Sequence, residues 1–222
     1  MSIAYYFSDE DLTAIEEEVK LAEKDISGEI VPVFMERSHH YPESIWRAIT
    51  VGMFFSGLLV IIVDMLMGWA ELFLLRSHIM YLASVATGGL IMAALSYYFP
   101  ALQRQMTSPS HMQQQVHAMA ERTFLEYEIF RTRQRTGILI FISLFEHRVE
   151  IIGDKGINEK VSRDEWTAII EKMRPYLRKQ ENKDAIVTGV RLAKELLLKY
   201  GYHAGPEDHN ELPDHLRQNT DK

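Results

Sequence analysis

Three carboxylates stand close together in the chain around one short segment: Glu146, Glu150 and Asp154. Hard cations such as calcium take several oxygen ligands, so a cluster of this kind is a candidate calcium site. Glu146 and Glu150 share strand parity and project to one face if the segment is regular, with Asp154 at the strand end as the leading ligand. The competing reading is plainer: alternating charges on an outer strand usually form a solvated face. A fourth carboxylate, Asp64, is the single ionisable group of a long apolar run and costs roughly 2.5 to 3.5 kcal/mol at the centre of a membrane helix. It therefore calls for a protein or water partner, and counting equal distances back from the following loop places it near Ser84 and Thr87. A structural or assembly role for Asp64 is set against a proton or ion relay, which would need further ionisable groups.

Other patterns offer less. His203, His209 and His215 recur every six residues, which fits neither one helical face nor a zinc motif. Gly153 and Gly156 in GDKG lack the phosphate-loop pattern and read as a turn, and no nucleophile elbow is present. The absence of cysteine removes disulfides, thiolate metal sites and a cysteine nucleophile. A formal net charge of -7 argues against a nucleic-acid-binding face, which needs clustered positive charge.

The elements that must position these residues fall into two kinds. Ala48 to Trp69 and Ile79 to Phe99 are almost wholly apolar or small, and about 20 such residues cross a hydrocarbon core. Pro100 stops the second run. The connection from Ala70 to His78 is short enough to force an antiparallel hairpin. Met1 to Glu10 carries no basic segment followed by an apolar run, so no cleavable signal is expected. Arg37, Arg47, Arg104 and Arg122 flank the outer ends of the hairpin against Arg76 in its loop, which places both termini in the cytoplasm. Gly52 and Ser56, Ser84 and Gly88, and Gly89 and Ala93 carry small residues four apart, a spacing that permits close helix approach.

The polar segments read as one α/β unit. Ser8 and Asp11 open a helix carrying Leu12, Ile15, Val19 and Ala22, with Gly28 as its stop. EIVPVF at 29–34 is a strand in which Pro32 points to an edge or bulge. Pro109 to Arg133 reads as a helix. TGILIFISL at 136–144 has the continuous apolar character of a centre strand, and Val149 to Ile152 pairs with it through a turn at Glu146 and His147. Ser162 and Glu165 form a capping box before Trp166, Ile169, Ile170 and Met173, on a helix ending before Pro175, and a last helix spans about Lys183 to Tyr200. A sheet needs about three strands, so the early strand must join the later pair. The expected division is one discontinuous domain of residues 1–45 and 105–200, a transmembrane hairpin of residues 46–104 with spans at about 48–69 and 79–99, and an extended tail of residues 201–222.

SGEIVPVF at Ser27 to Phe34, RTGILIFISLFEHRVEIIGDKGI at Arg135 to Ile157, the W-x-x-I-I motif at Trp166 to Ile170 and NELPD at Asn210 to Asp214 resemble the TPM domain family, in particular its bacterial membrane-embedded branch. The resemblance covers nearly all polar segments and leaves the hairpin outside. It implies a small α/β/α layered domain with an inserted two-helix transmembrane hairpin. A plant member has been associated with acid phosphatase activity and calcium binding, other members look like accessory factors of membrane complexes, and bacterial members tend to be encoded beside LemA-type membrane proteins. The chain departs from soluble members in its hairpin, in lacking a signal peptide, and in having Asp154 and Lys155 where many members carry a glycine-rich turn.

Two function classes follow. One is a membrane-anchored interaction or assembly factor without catalytic machinery, lodged in the bacterial inner membrane. Its partners would be the lipid bilayer and another membrane protein, of LemA type as the resemblance implies, with calcium as the only candidate cofactor. The alternative is a metal-dependent phosphohydrolase built on Asp154, Glu150 and Glu146.

Overall fold

A computed structural model describes residues 5–67, 78–205, 212 and 215–218. The chain divides into two compact units, Met1–Ser38 with Gln113–Lys222, and His39–Met112.

In the first unit, α1 (Asp9–Glu23) opens with a reciprocal capping box: the Asp11 N–H donates to Ser8 Oγ at 3.1 Å and the Ser8 N–H donates to the Asp11 carboxylate at 3.0 Å. The helix ends at Glu23, five residues before the expected stop at Gly28. Gly28 instead allows close packing, since a Cβ there would lie 3.1 Å from the Thr136 carbonyl oxygen. Strand β1 (Glu29–Met35) follows, then α5 (Pro109–Glu126), β2 (Gly137–Ser143) and β3 (Arg148–Gly153). β1 and β2 are parallel and β2 and β3 antiparallel. A parallel pair needs a long crossover, and the hairpin unit is inserted into that crossover ahead of α5.

Alternation along the strands buries the sheet on both faces. Ile30, Phe34, Ile138, Ile140 and Ile142 meet α1, α7 (Arg163–Arg178) and α8 (Asn182–Lys199) through Val19, Trp166, Met173 and Val190. Val31, Val33, Leu139 and Phe141 meet α5 through Val116, Ala120 and Phe124. Each such side chain contributes about 1.5 to 3 kcal/mol when fully buried. This is the three-layer α/β/α arrangement that the resemblance implies.

Pro32 sits in a strand with a neighbour on either side, yet its missing donor is accommodated as an edge would accommodate it. The Glu29 N–H turns to β2, donating to the Thr136 carbonyl at 3.3 Å, and the Ile30 N–H turns the other way, to Glu23 Oε1 at 3.0 Å. By alternation, position 32 faces away from β2. On that side β4 (Arg217–Gln218) pairs only with Val33 and Phe34. The tail thus supplies a strand of two residues that no periodicity reveals. Leu216 is buried and Arg217 stacks over the Tyr127 ring at 4.8 Å.

Two helix boundaries differ from expectation. α5 stops at Glu126, short of Arg133, with Glu128 at φ 51° and the Ile129 N–H returning to the Phe124 carbonyl. α7 passes through Pro175 to Arg178, because a proline so near the end interrupts only the final turn.

In the second unit, α2 (Pro42–Met67) and α3 (His78–Tyr98) are about 39 and 31 Å long at 1.5 Å per residue. They pack antiparallel on small residues: a Cβ at Gly88 would lie 2.3 Å from Ser56 Cβ, and one at Gly52 would lie 2.5 Å from the Gly88 carbonyl oxygen. α3 stops at Tyr98 and Pro100 begins α4 (Pro100–Met106) at its first turn, where a missing N–H costs nothing. Both long helices are apolar enough to cross a membrane, and only 11% of each apolar window is buried. A core helix of a soluble protein would be mostly covered. Arg76 and the loop from Ala70 lie outside the described residues.

Candidate functional site

The three carboxylates around β3 are held in three separate places. Glu146, in the turn between β2 and β3, is 5% exposed and accepts from the Ser38 N–H at 3.0 Å and from the Ser143 hydroxyl. The Ser38 hydroxyl donates to Ser143 Oγ at 2.8 Å, so the group ties the end of β1 to the β2–β3 turn. His147 completes that turn at φ 52°.

Glu150 pairs across the sheet with Phe141, on the face covered by α5. There His117 places Nδ1 2.7 Å from its carboxylate and Nε2 3.3 Å from Glu121. His117 lies outside every sequence motif; one residue after the buried Val116, it flanks the apolar face of α5, which sets its ring against Glu150.

Asp154 directly follows β3 and caps the short helix α6 (Lys155–Asn158), accepting from the Lys155 N–H at 2.7 Å. It is 5% exposed and meets Arg135 side-on: guanidinium Nη2 donates to Oδ1 at 3.0 Å, and Nε makes an ion-pair contact with Oδ2 at 2.7 Å without a well-aligned hydrogen bond. Arg135 adopts φ 56°, and its carbonyl accepts the Gly156 N–H at 3.0 Å. A Cβ at Gly156 would come within 2.4 Å of the Gln134 carbonyl oxygen, and one at Gly137 within 2.0 Å of the Ile129 carbonyl oxygen. The RTG and GDKG segments are therefore two halves of one interlocked corner.

Glu150 and Asp154 lie four residues apart along an extended strand, about 13 Å at the usual rise, whereas calcium ligands converge within about 2.6 Å of the ion. Among the described residues no group of three His, Asp or Glu side chains could hold a metal ion. The parity that relates Glu146 to Glu150 does not join them, because Glu146 belongs to the turn. His203 is exposed and itself forms an isolated antiparallel bridge with Ile26, His215 is exposed one residue before the buried Leu216, and His209 lies outside the described residues.

In the hairpin unit, the Ser84 and Thr87 hydroxyls donate to carbonyls of their own helix, Tyr81 and Ala83, at 2.7 and 2.8 Å. Asp64 is exposed. The Ser56 hydroxyl meets the Val85 carbonyl at 3.3 Å. Stepping forward along α2 and back along α3 from that contact brings Asp64 level with His78, about two turns from Ser84 and Thr87. The expected partnership fails because the Ser56–Val85 contact centres the hairpin on the α2 side of the midpoint of the Ala70–His78 loop from which equal distances were counted.

The carboxylate with the largest shift among the described residues is Glu165. Its pKa drops from 4.5 to about 2 through hydrogen bonds from Lys199, Tyr200 and the Ser162 N–H. It belongs to the capping box of α7 and joins that helix to the end of α8.

Residues 104–196 match the family model of the TPM domain. The match spans α5, β2, β3, α6, α7 and most of α8, and includes the Arg135–Asp154 corner. No curated protein matches the chain. Among solved structures, the NMR structure of BA42 protein from the psychrophilic bacterium Bizionia argentinensis aligns with a TM-score of 0.59 at 19% identity, covering 98% of this chain and 99% of that one. At that identity the likeness is one of fold.

Proposed function

We propose that this chain is a membrane-anchored interaction or assembly factor: a TPM domain carried by a two-helix hairpin in the bacterial inner membrane, with both termini in the cytoplasm. The observation that carries the reading is the outward apolar surface of the hairpin, with Phe54, Leu59, Met65 and Leu90 each at least 60% exposed. So large an apolar patch requires lipid or the helices of another membrane protein to cover it. The cytoplasmic placement is supported by Arg37, Arg47, Arg104 and Arg122 at the outer ends. A LemA-type membrane protein is the partner to test first.

The phosphohydrolase alternative draws on the family resemblance and on Glu146, Glu150 and Asp154. Metal-assisted hydrolysis needs converging oxygen ligands and a held water, while Glu146, Glu150 and Asp154 each serve a different structural contact. The protein should stay with membranes through high-salt and carbonate washes; release of most of it by carbonate would overturn the anchor. The purified full chain should hydrolyse phosphate esters no faster than background, with or without calcium. Turnover that disappears in Asp154→Ala, while the variant remains folded, would replace the assembly reading with the enzymatic one.

A further inference from the structure

The hairpin carries its own depth markers. Trp46, Tyr97 and Tyr98 are 70%, 70% and 74% exposed. Such rings, apolar in body and polar at one edge, collect at the headgroup level of membrane proteins. The Ser56–Val85 contact fixes their relative heights. From it, Trp46 is about 15 Å away along α2 and Tyr97 about 18 Å along α3, toward the same end. In the opposite direction Asp64 is about 12 Å away and His78 about 10 Å. The two polar residues therefore share one level, as the aromatic rings share the other.

Between these levels Ala48 to Val63 and Ile79 to Ser96 contain no charged residue. Arg47, beside Trp46, donates to the Met106 carbonyl at 3.1 Å, which joins it to α4 rather than to the apolar stretch. The separation is about 27 Å along α2 and 29 Å along α3, against about 30 Å for a hydrocarbon core. Two helices measured independently give one membrane thickness.

We propose that the bilayer hydrocarbon begins at Trp46 with Tyr97 and Tyr98 and ends at Asp64 with His78, making Asp64 an interfacial carboxylate and the hairpin faces between these levels lipid-covered. The proposal rests on the membrane anchor argued above. It removes the need for a buried partner for Asp64, since a carboxylate at the interface keeps its hydration and the insertion cost falls away.

The test uses the full chain in vesicles of phosphatidylcholine and phosphatidylglycerol, with Trp69→Phe throughout. Trp166 stays in place, because at 5% exposure it is shielded from lipid-borne quenchers. Lipids bearing a nitroxide near the headgroup should quench Trp46 at least about twofold more than lipids labelled deep in the acyl chain, as an interfacial indole requires. Phe54→Trp in a Trp46→Phe background, about 12 Å further along α2, should show the reverse order. Because the chain has no cysteine, Met65→Cys adds a second readout: a water-soluble maleimide in permeabilised vesicles should label it and leave Phe54→Cys untouched. Deeper quenching of Trp46, or an unreactive Met65→Cys, overturns the assigned boundaries while the anchor stands. A Phe54→Trp indole that no lipid label quenches overturns the lipid-covered face, and release by carbonate in the same preparation separates loss of the anchor from burial of that face in another protein.

Discussion

Removing the Arg135 guanidinium should show whether the corner that joins β2 to α6 is a structural clamp or a ligand held in reserve. In Arg135→Ala, Asp154 keeps the Lys155 N–H at 2.7 Å and loses both guanidinium contacts. Breaking a fully buried pair costs about 3 to 5 kcal/mol, and an exposed pair contributes about 0 to 1. Here the carboxylate is 5% exposed but the arginine side chain is 53% exposed, so water can approach from one side. The loss should fall between those limits, at about 2 kcal/mol. Asp154→Ala removes the pair and the helix cap together and should cost about 3 kcal/mol, the cap contributing about 1. In a double-mutant cycle the two changes should overlap by about 1 to 2 kcal/mol, because both delete the same contact. Chemical denaturation of the full chain in detergent, followed through the emission of the buried Trp166, measures all three. If Asp154 were instead a calcium ligand restrained by Arg135, calcium would raise the unfolding midpoint, and Arg135→Ala would increase that rise by freeing the carboxylate. A near-neutral Arg135→Ala together with such a calcium-dependent gain would refute the clamp.

Gly137→Ala forces a Cβ to within 2.0 Å of a backbone oxygen at Ile129 and should destabilise the same unit by about 3 kcal/mol, measured by the same denaturation. Gly88→Leu should separate the hairpin helices; oxidative cross-linking of Ser56→Cys with Val85→Cys should be at least about tenfold slower with the leucine present than without it. The Glu165 carboxyl lies at about 2 when folded against 4.5 for the free group. Its stabilisation is therefore present above about pH 4.5 and is lost as pH falls toward 2. Thermal unfolding between pH 5 and 3 should accordingly show a smaller acid-induced decline for Glu165→Gln than for the parent, and equal declines would remove the Lys199–Tyr200 contact as its cause.

Most of the elements were legible because their signals are local. Ser8 with Asp11 and Ser162 with Glu165 are reciprocal caps written within one turn, and both form. The continuous apolar run at Ile138 to Ile142 is buried on both faces of the sheet, as a centre strand requires. Small residues four apart at Gly52 and Ser56 became the helix contact. What periodicity could not supply was register and convergence. The Ser56–Val85 contact, not the length of the loop, sets what lies opposite Asp64. Glu146, Glu150 and Asp154 are neighbours in sequence, but a turn and an extended strand carry them to Ser38, His117 and Arg135, partners contributed by distant segments. Arg217 pairs beside β1 through only two residues, too few for any pattern to register. Sequence determines which backbone state each short segment prefers because those preferences are decided within a few residues; only the packed chain determines which charges meet, because that depends on contacts between segments far apart along it.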